Sequence, residues 1–176
     1  MIKKIATATL LAATLSTSAL AFEQQGVKEG NTRVGLNVTY DQSTYGDNDS
    51  SGTGFLTASW AKYFTDSVEA GLGVTYMLNV PADGDADNSY TLSPFLKYNF
   101  SDFSPTSVPF IGASFVMMDG DRYDEALTGY GAEIGSNVFV DETTAFAPAL
   151  YYQKYDFDGT DYVIIGVKIG IELFFD

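Results

Sequence analysis

The residue types that carry most acid–base and metal chemistry are sparse in this chain of 176 residues. It contains no His and no Cys, which excludes His-dependent hydrolytic mechanisms, thiolate metal sites and disulfide frameworks. A catalyst built from carboxylates alone needs two acids held in contrasting environments, and no pair stands out from the many acidic residues. We therefore predict a protein that is not an enzyme and that uses no cofactor.

Three aspartates have the opening spacing of a calcium-binding loop. They are Asp83, Asp85 and Asp87, but Pro94 stands where such a loop requires its bidentate Glu, which excludes an EF-hand. Weak binding of divalent cations, for example as a bridge to anionic lipopolysaccharide, is one interpretation of this segment. A solvated acidic surface that maintains solubility is the other.

A second charged set lies on strand faces otherwise occupied by Gly, Ser, Thr and Asn. It comprises three cations and three carboxylates: Arg33, Glu69, Lys97, Glu133, Lys168 and Glu172. Because a buried charge without a partner is costly, a balanced set inside a barrel is expected to form an ion-pair network that plugs the lumen. A charged pathway for a solute is the alternative.

Eight stretches with period-two alternation, each followed by turn residues, must position these groups. Their spans are 31–41, 54–64, 68–80, 88–100, 107–118, 127–140, 144–156 and 161–175. Each has about the length that a tilted strand needs to cross a bilayer. The pattern predicts an all-β fold, an eight-stranded antiparallel up-and-down transmembrane β-barrel.

The faces of these stretches predict which side meets lipid. In the last stretch the alternating positions from Val163 to Phe175 are all large and apolar, whereas Gly166, Lys168, Gly170 and Glu172 share the other side. Glycines beside a few long charged residues suit the cramped interior of eight strands, and the bulky face suits lipid. Stretches 54–64 and 144–156 carry aromatics on both faces and stay unassigned.

Two prolines, Pro94 and Pro148, fall in mid-strand. Each is expected to forfeit a ladder hydrogen bond or to mark a bulge.

The connections between the stretches differ in length and charge. Those after the second, fourth and sixth stretches are mostly short, whereas the other four are longer, beginning with Gln42 to Thr53. This asymmetry is typical of outer-membrane barrels, which have long external loops. The external segments carry one cation, Arg122, and the carboxylates Asp41, Asp47, Asp49, Asp83, Asp85, Asp87, Asp119, Asp121, Asp124, Glu125, Asp156, Asp158 and Asp161. Such a surface repels nucleic acid.

The first 21 residues read as a cleaved export signal. Lys3 and Lys4 precede an apolar stretch, and Ala19-Leu20-Ala21 supplies the small-x-small site before Phe22. Residues 22–176 then form the barrel domain, with seven basic residues remaining against 23 acidic ones.

Three short motifs resemble the small outer-membrane β-barrel superfamily, the OmpA-barrel and OmpX-like proteins often labelled porin family. They are Pro109-Phe110-Ile111-Gly112-Ala113, the run Gly129 to Asp141 with Glu133, and Lys168-x-Gly170-x-x-Leu173-x-Phe175. The last is similar to the assembly signal of final strands, so Lys168, Gly170, Leu173 and Phe175 are its expected carriers. The resemblance implies location in the outer membrane of a Gram-negative bacterium.

Our functional prediction is a non-enzymatic, monomeric outer-membrane barrel with a plugged polar lumen, acting in envelope structure or surface interaction. Its expected partners are outer-membrane lipid, lipopolysaccharide and the outer-membrane assembly machinery, and not nucleic acid. The alternatives are a narrow channel for small or hydrophobic solutes and a soluble periplasmic ligand-binding barrel. Adhesion, stress response, transport and purely structural roles are all compatible with the sequence.

Overall fold

The computed structural model of the protein describes residues 26–45, 49–80, 87–104, 106–121, 126–157 and 160–176. The predicted export signal, the cleavage site and residues 22–25 lie outside these ranges, and so do Asp83 and Asp85. None of the described residues forms a helix that is long and apolar enough to span a bilayer.

The described residues form nine strands in chain order. They are β1 (Thr32–Tyr45), β2 (Asp49–Tyr63), β3 (Val68–Val80), β4 (Asp87–Asn99), β5 (Ser107–Gly120), β6 (Leu127–Phe139), β7 (Thr144–Phe146), β8 (Ala149–Phe157) and β9 (Thr160–Phe175). Strands β7 and β8 both lie between β6 and β9. Together they make the seventh strand of an eight-stranded sheet.

The sheet closes on itself. Neighbouring strands are antiparallel and follow chain order, and β1 also pairs with β9. Stepping from partner to partner, from Arg33 across β2 to β8, leads to Ile164 of β9. Arg33 itself pairs with Phe174, a stagger of ten residues. With ordinary strand spacings, this stagger tilts the strands by about 40°. The predicted fold class is confirmed.

Pro94 interrupts one ladder without shifting its register. The partners of β4 and β5 stop at Leu92–Met117 and resume at Phe95–Ser114, with no extra residue on either strand. The ladder between β3 and β4 continues through Pro94. Pro94 therefore forfeits pairing on one side and makes no bulge.

Pro148 acts in the same way on the seventh strand. Partners with β9 run to Phe146–Ile171 in β7 and resume at Ala149–Lys168 in β8, again without an inserted residue. The break between β7 and β8 is thus an interruption of one strand, caused by a residue that has no N–H to donate.

Burial alternates along every strand, so one face of the barrel is buried and the other is exposed. The structure also assigns the two stretches that the sequence left open. On β2, Thr57, Ser59 and Tyr63 face inward, whereas Trp60 is 53% exposed on the outer face. On β8, Tyr151, Gln153 and Tyr155 face inward and Leu150 faces outward.

The two ends of the barrel differ. The end that carries the β2–β3, β4–β5 and β6–β7 connections and the C-terminus is called here the turn end, and the opposite end is the loop end. The connection predicted from Gln42 to Thr53 is too long, because β1 and β2 remain paired as far as Tyr45–Asp49. A hairpin can extend beyond its apolar residues because its backbone hydrogen bonds do not depend on side-chain polarity.

Candidate functional site in the barrel lumen

The six ionic residues singled out in the sequence all lie on the inward face. Arg33, Glu69 and Glu172 are almost fully buried, Lys97 is 7% exposed, and Glu133 and Lys168 are half-buried. They come from β1, β3, β4, β6 and β9, so most of the circumference contributes. Ion pairs join them into one series of alternating sign, called here the ion chain.

Arg33 forms the first half of the ion chain. Its Nε lies 2.8 Å from Glu69 Oε2, and its Nη1 contacts Glu172 Oε2 directly. Glu69 continues the series, since its Oε1 lies 3.9 Å from Lys97 Nζ. Arg33 and Glu172 are 139 residues apart, so this contact exists only because β1 closes on β9.

Lys97 and Lys168 form the second half around a shared carboxylate. Lys97 Nζ lies 2.8 Å from Glu133 Oε1, and Lys168 Nζ contacts Glu133 Oε2. The ion chain therefore ends with Lys168 and begins with Glu172, and its three positive charges balance its three negative ones.

Glycines make room for these long side chains. Gly112 is the cross-strand partner of both Lys97 and Glu133 and lies between them. A Cβ on Gly112 would lie 3.0 Å from the Cγ of each. Gly35 pairs with Glu172, and a Cβ there would overlap the Glu172 carboxylate. The glycine-rich face of the sequence is thus the space that the ion chain occupies.

Two inward aromatic rings flank the ion chain; the sequence motifs included Phe110, without a role in the lumen, and did not include Phe95. Lys97 Nζ lies 4.5 Å from the ring centroid of Phe110 and 5.2 Å from that of Phe95. Arg33 Cζ lies 5.5 Å from the Phe95 centroid. Both cations thereby gain contact with π faces as well as carboxylates. Parity is the signal that identifies the rings, because each stands two residues before an inward Lys97 or Gly112.

The segment 26–31, called here the terminal cap, covers the turn end of the lumen. Val27 is 5% exposed and packs with Tyr63, Val108, Phe139, Ala145 and Phe174. Gly30 adopts φ +90°, which favours glycine and lets the chain reverse. Its N–H donates to Tyr63 O at 3.0 Å, and the N–H of Tyr63 donates to Asn31 O at 2.9 Å. The sequence patterns gave no role to these residues.

A tight turn at the same end is organised by Asp141. Its Oδ1 accepts hydrogen bonds from the backbone N–H of Thr143 at 2.8 Å and of Thr144 at 2.7 Å. The hydrogen bond from the Thr143 backbone, joined by those from Thr144, holds the pKa of the Asp141 carboxyl below its usual value. This is an Asx turn, in which a side chain replaces a backbone acceptor.

The structure gives the positions of the remaining candidate residues but does not test their roles. In β9, Lys168 and Gly170 face inward, whereas Leu173 and Phe175 are exposed on the outer face. Asp87 begins β4. Within the described ranges, no three carboxylates are grouped as metal ligands. Of the acidic loop residues, the side chains of Asp87, Asp119, Asp121 and Asp156 are described.

No protein-family model matches the chain, and no curated protein matches it. Among solved structures, it is similar to the N-terminal β-barrel domain of Pseudomonas aeruginosa OprF. The TM-score is 0.58 at 15% identity, over 86% of this chain and 100% of that one. The outer membrane protein OprG from Pseudomonas aeruginosa gives a TM-score of 0.54 at 15% identity, over 87% of this chain and 99% of that one.

At such identity the likeness shows the fold alone. The chain forms a closed eight-stranded barrel, and it shares its fold with these two structures. The fold that the sequence resemblance implied is confirmed.

Proposed function

We propose that the chain is a non-enzymatic integral barrel of the outer membrane of a Gram-negative bacterium, exported by a cleaved signal peptide. The observation that carries this proposal is the polarity of the closed sheet. Large apolar side chains are exposed on the outer face of each long strand, among them Leu36, Leu72, Leu96, Ile134 and Ile169. A water-soluble monomer rarely exposes so continuous an apolar surface, whereas a bilayer requires it.

Aromatic residues at both ends of this apolar surface support a membrane location. Near the loop end the rings of Tyr76 and Tyr90 lie 5.4 Å apart on the outer face. Near the turn end Tyr98 and Phe100 lie 5.1 Å apart, and Phe103 is 72% exposed beyond them. Transmembrane barrels carry such aromatic girdles at the two membrane interfaces.

The proposed role is in envelope structure and surface interaction, with no passage for solutes through the lumen from one end to the other. Closure is supported by the ion chain, which balances its own charge, and by Val27 of the terminal cap among the aromatic rings of the turn end. An eight-stranded interior is just wide enough for side chains to fill. The proposed partners are lipid and lipopolysaccharide around the barrel and the assembly machinery that reads Lys168, Gly170, Leu173 and Phe175.

A non-catalytic role is supported by the chemistry of the lumen. The carboxylates of Glu69, Glu133 and Glu172 each contact a cation, and the sequence contains no His to act as a general base. The acidic loops are the proposed surface for interaction outside the cell, and their negative charge suits contact through divalent cations.

One substitution separates a membrane barrel from a soluble one. Ile169 is 57% exposed on the outer face, in the half of β9 that pairs with β1. In lipid, Ile169→Arg should cost about 2–4 kcal/mol of unfolding free energy near the midplane. In water, a charge at so exposed a position should be nearly neutral. Ala126→Arg, at the exposed residue that precedes β6, is the matched control.

The localisation test uses density separation of outer from inner membranes, followed by gel mobility with and without heating. We expect the chain in the outer-membrane fraction, with heat-dependent mobility. Recovery as a soluble periplasmic protein, or equal stability of the Ile169 and Ala126 variants, would contradict the proposal. A clear conductance in planar bilayers would contradict the closed lumen and support the alternative, a narrow channel.

A further inference from the structure

The lumen contains a cavity of about 110 Å³ that the proposed function does not use. It lies on the loop-end side of Arg33 and Lys97, with Lys168 and Glu133 also in its wall. Nearer the loop end, an apolar cluster of Val116, Met118, Leu127 and Tyr155 packs with Met77 and Ile164. The cavity therefore lies between an ionic region and an apolar one.

The neutral part of the wall combines hydroxyl groups with the aromatic rings of Phe55, Phe95, Tyr151 and Tyr152. Six Ser and Thr residues from five strands line this one space: Thr39, Thr57, Ser59, Thr75, Ser93 and Ser114. Thr57 and Thr75 are already joined by a 2.8 Å hydrogen bond between their hydroxyl oxygens. Hydroxyls both donate and accept, so this wall can match a ligand that also does both.

Two buried polar atoms in the wall have no hydrogen-bond partner among the described residues. Arg33 Nη2 is a donor on a residue that is 1% exposed, and Asn37 Oδ1 is an acceptor on a residue that is 5% exposed. Buried polar atoms are almost always hydrogen-bonded in proteins. Both atoms are enclosed by protein behind the surface of the wall, so they make this part of the wall polar without being direct contacts of a ligand.

The balance of charges around the cavity indicates which net charge a ligand there should carry. Lys168 and Lys97 both contact Glu133, and Arg33 contacts Glu69 and Glu172. The positive charges facing the cavity are therefore already neutralised by neighbouring carboxylates. A charged solute would have to give up its hydration without gaining an unpaired counter-charge, so an uncharged solute is favoured.

We propose that this cavity is a binding site for a small, uncharged, hydroxyl-bearing solute, a two- or three-carbon polyol. The size follows from the volume, since an apolar cavity of about 150 Å³ accommodates benzene. The cavity of about 110 Å³ is therefore matched to four to six non-hydrogen atoms. This site goes beyond the proposed role in the envelope and does not depend on it.

Gly73 provides a direct way to fill the cavity. It lies in the wall, and a Cβ built on it would meet only Ser93, at the ordinary contact distances of 3.6 and 3.8 Å. Gly73→Leu should therefore occupy the space while the barrel still folds. Gly54→Leu is the matched control, because a Cβ on Gly54 meets nothing within 4 Å and its neighbour Phe55, not Gly54, lines the cavity.

The experiment follows amide NMR shifts of the full barrel in phospholipid nanodiscs during titration with glycerol. Lactate and 1-amino-2-propanol serve as negatively and positively charged probes of similar size. We expect saturable shifts at wall residues with glycerol for the wild type and for Gly54→Leu, and their loss in Gly73→Leu. Heat-dependent gel mobility verifies that each variant is folded.

A second variant tests the hydroxyl wall without changing its shape. Thr57→Val should weaken glycerol binding, whereas Thr128→Val, at an exposed position of β6, should not. Absence of saturable shifts in the wild type would overturn the proposal. So would binding unchanged in Gly73→Leu or in Thr57→Val, or a charged probe that binds more tightly than glycerol.

Discussion

Replacing Glu133 with Gln measures how strongly the ion chain stabilises the barrel. The substitution keeps the side-chain volume but removes the negative charge that contacts both Lys97 and Lys168. Among the described residues, Lys168 then has no carboxylate within ion-pair distance, and Lys97 keeps only Glu69, at 3.9 Å. Breaking a buried ion pair costs about 3–5 kcal/mol. Because the Lys168 side chain is 25% exposed and borders the cavity, we expect a loss of about 3 kcal/mol, the lower limit.

The assay is urea unfolding of the barrel in phospholipid vesicles, with the folded fraction read from heat-dependent gel mobility. Glu142→Gln, an exposed carboxylate in the β6–β7 turn, is the control for loss of one charge. Adding Lys168→Met to Glu133→Gln removes the unpaired cation and should restore much of the stability. The reasoning is refuted if Glu133→Gln lies within about 0.5 kcal/mol of the Glu142 control, the range of ordinary surface substitutions.

Three further predictions concern packing and pH. Gly71→Ala should cost about 1–3 kcal/mol of unfolding free energy, because its Cβ would overlap the β2 backbone. Gly73→Ala on the same face should cost far less, and equal urea midpoints would contradict this. Val27→Ala should cost about 2 kcal/mol, for two buried methyl groups and the cavity left behind; an unchanged midpoint would remove the terminal cap from the core. The lowered pKa of Asp141 stabilises the fold above the ordinary carboxyl pKa, and this contribution is lost as pH falls through the lowered value. The stability of the wild type relative to Asp141→Asn should therefore decline in acid. A stability difference between the two that does not change with pH would exclude the Thr143 hydrogen bond as the cause of the stabilisation.

Strand positions were predictable because side chains alternate along a strand with a strict period of two. The predicted stretch 68–80 coincides with β3, and the others agree within a few residues, except at the loop end of β1 and β2. There Thr44 and Ser50 pair in a polar extension that carries no apolar alternation. The inward and outward faces of stretches 54–64 and 144–156 could not be assigned, because aromatic residues occur on both. Hydrophobicity identifies the two faces only where one of them lacks apolar residues.

The candidate site was predictable as a set of residues but not as an arrangement. Arg33, Glu69 and Lys168 could be placed on inward faces by parity alone. Their partners depend on register, and the contacts of Phe95 and Phe110 with the ion chain were not predicted because a lumen was expected to be polar. The terminal cap carries no periodic pattern, so Val27 gave no sign that it packs against Phe139 and Phe174.

By itself the sequence determined the number of strands, the apolar outward face of six of them and the identity of the six lumen charges, because alternation and composition are local properties. Only the tertiary structure decided which of those charges meet. Closure of β1 on β9 with a stagger of ten residues brings Arg33 to Glu172, and the registers of β4 and β6 with β5 set Gly112 between Lys97 and Glu133. Stagger is a property of the whole closed sheet, and no segment of the chain specifies it alone.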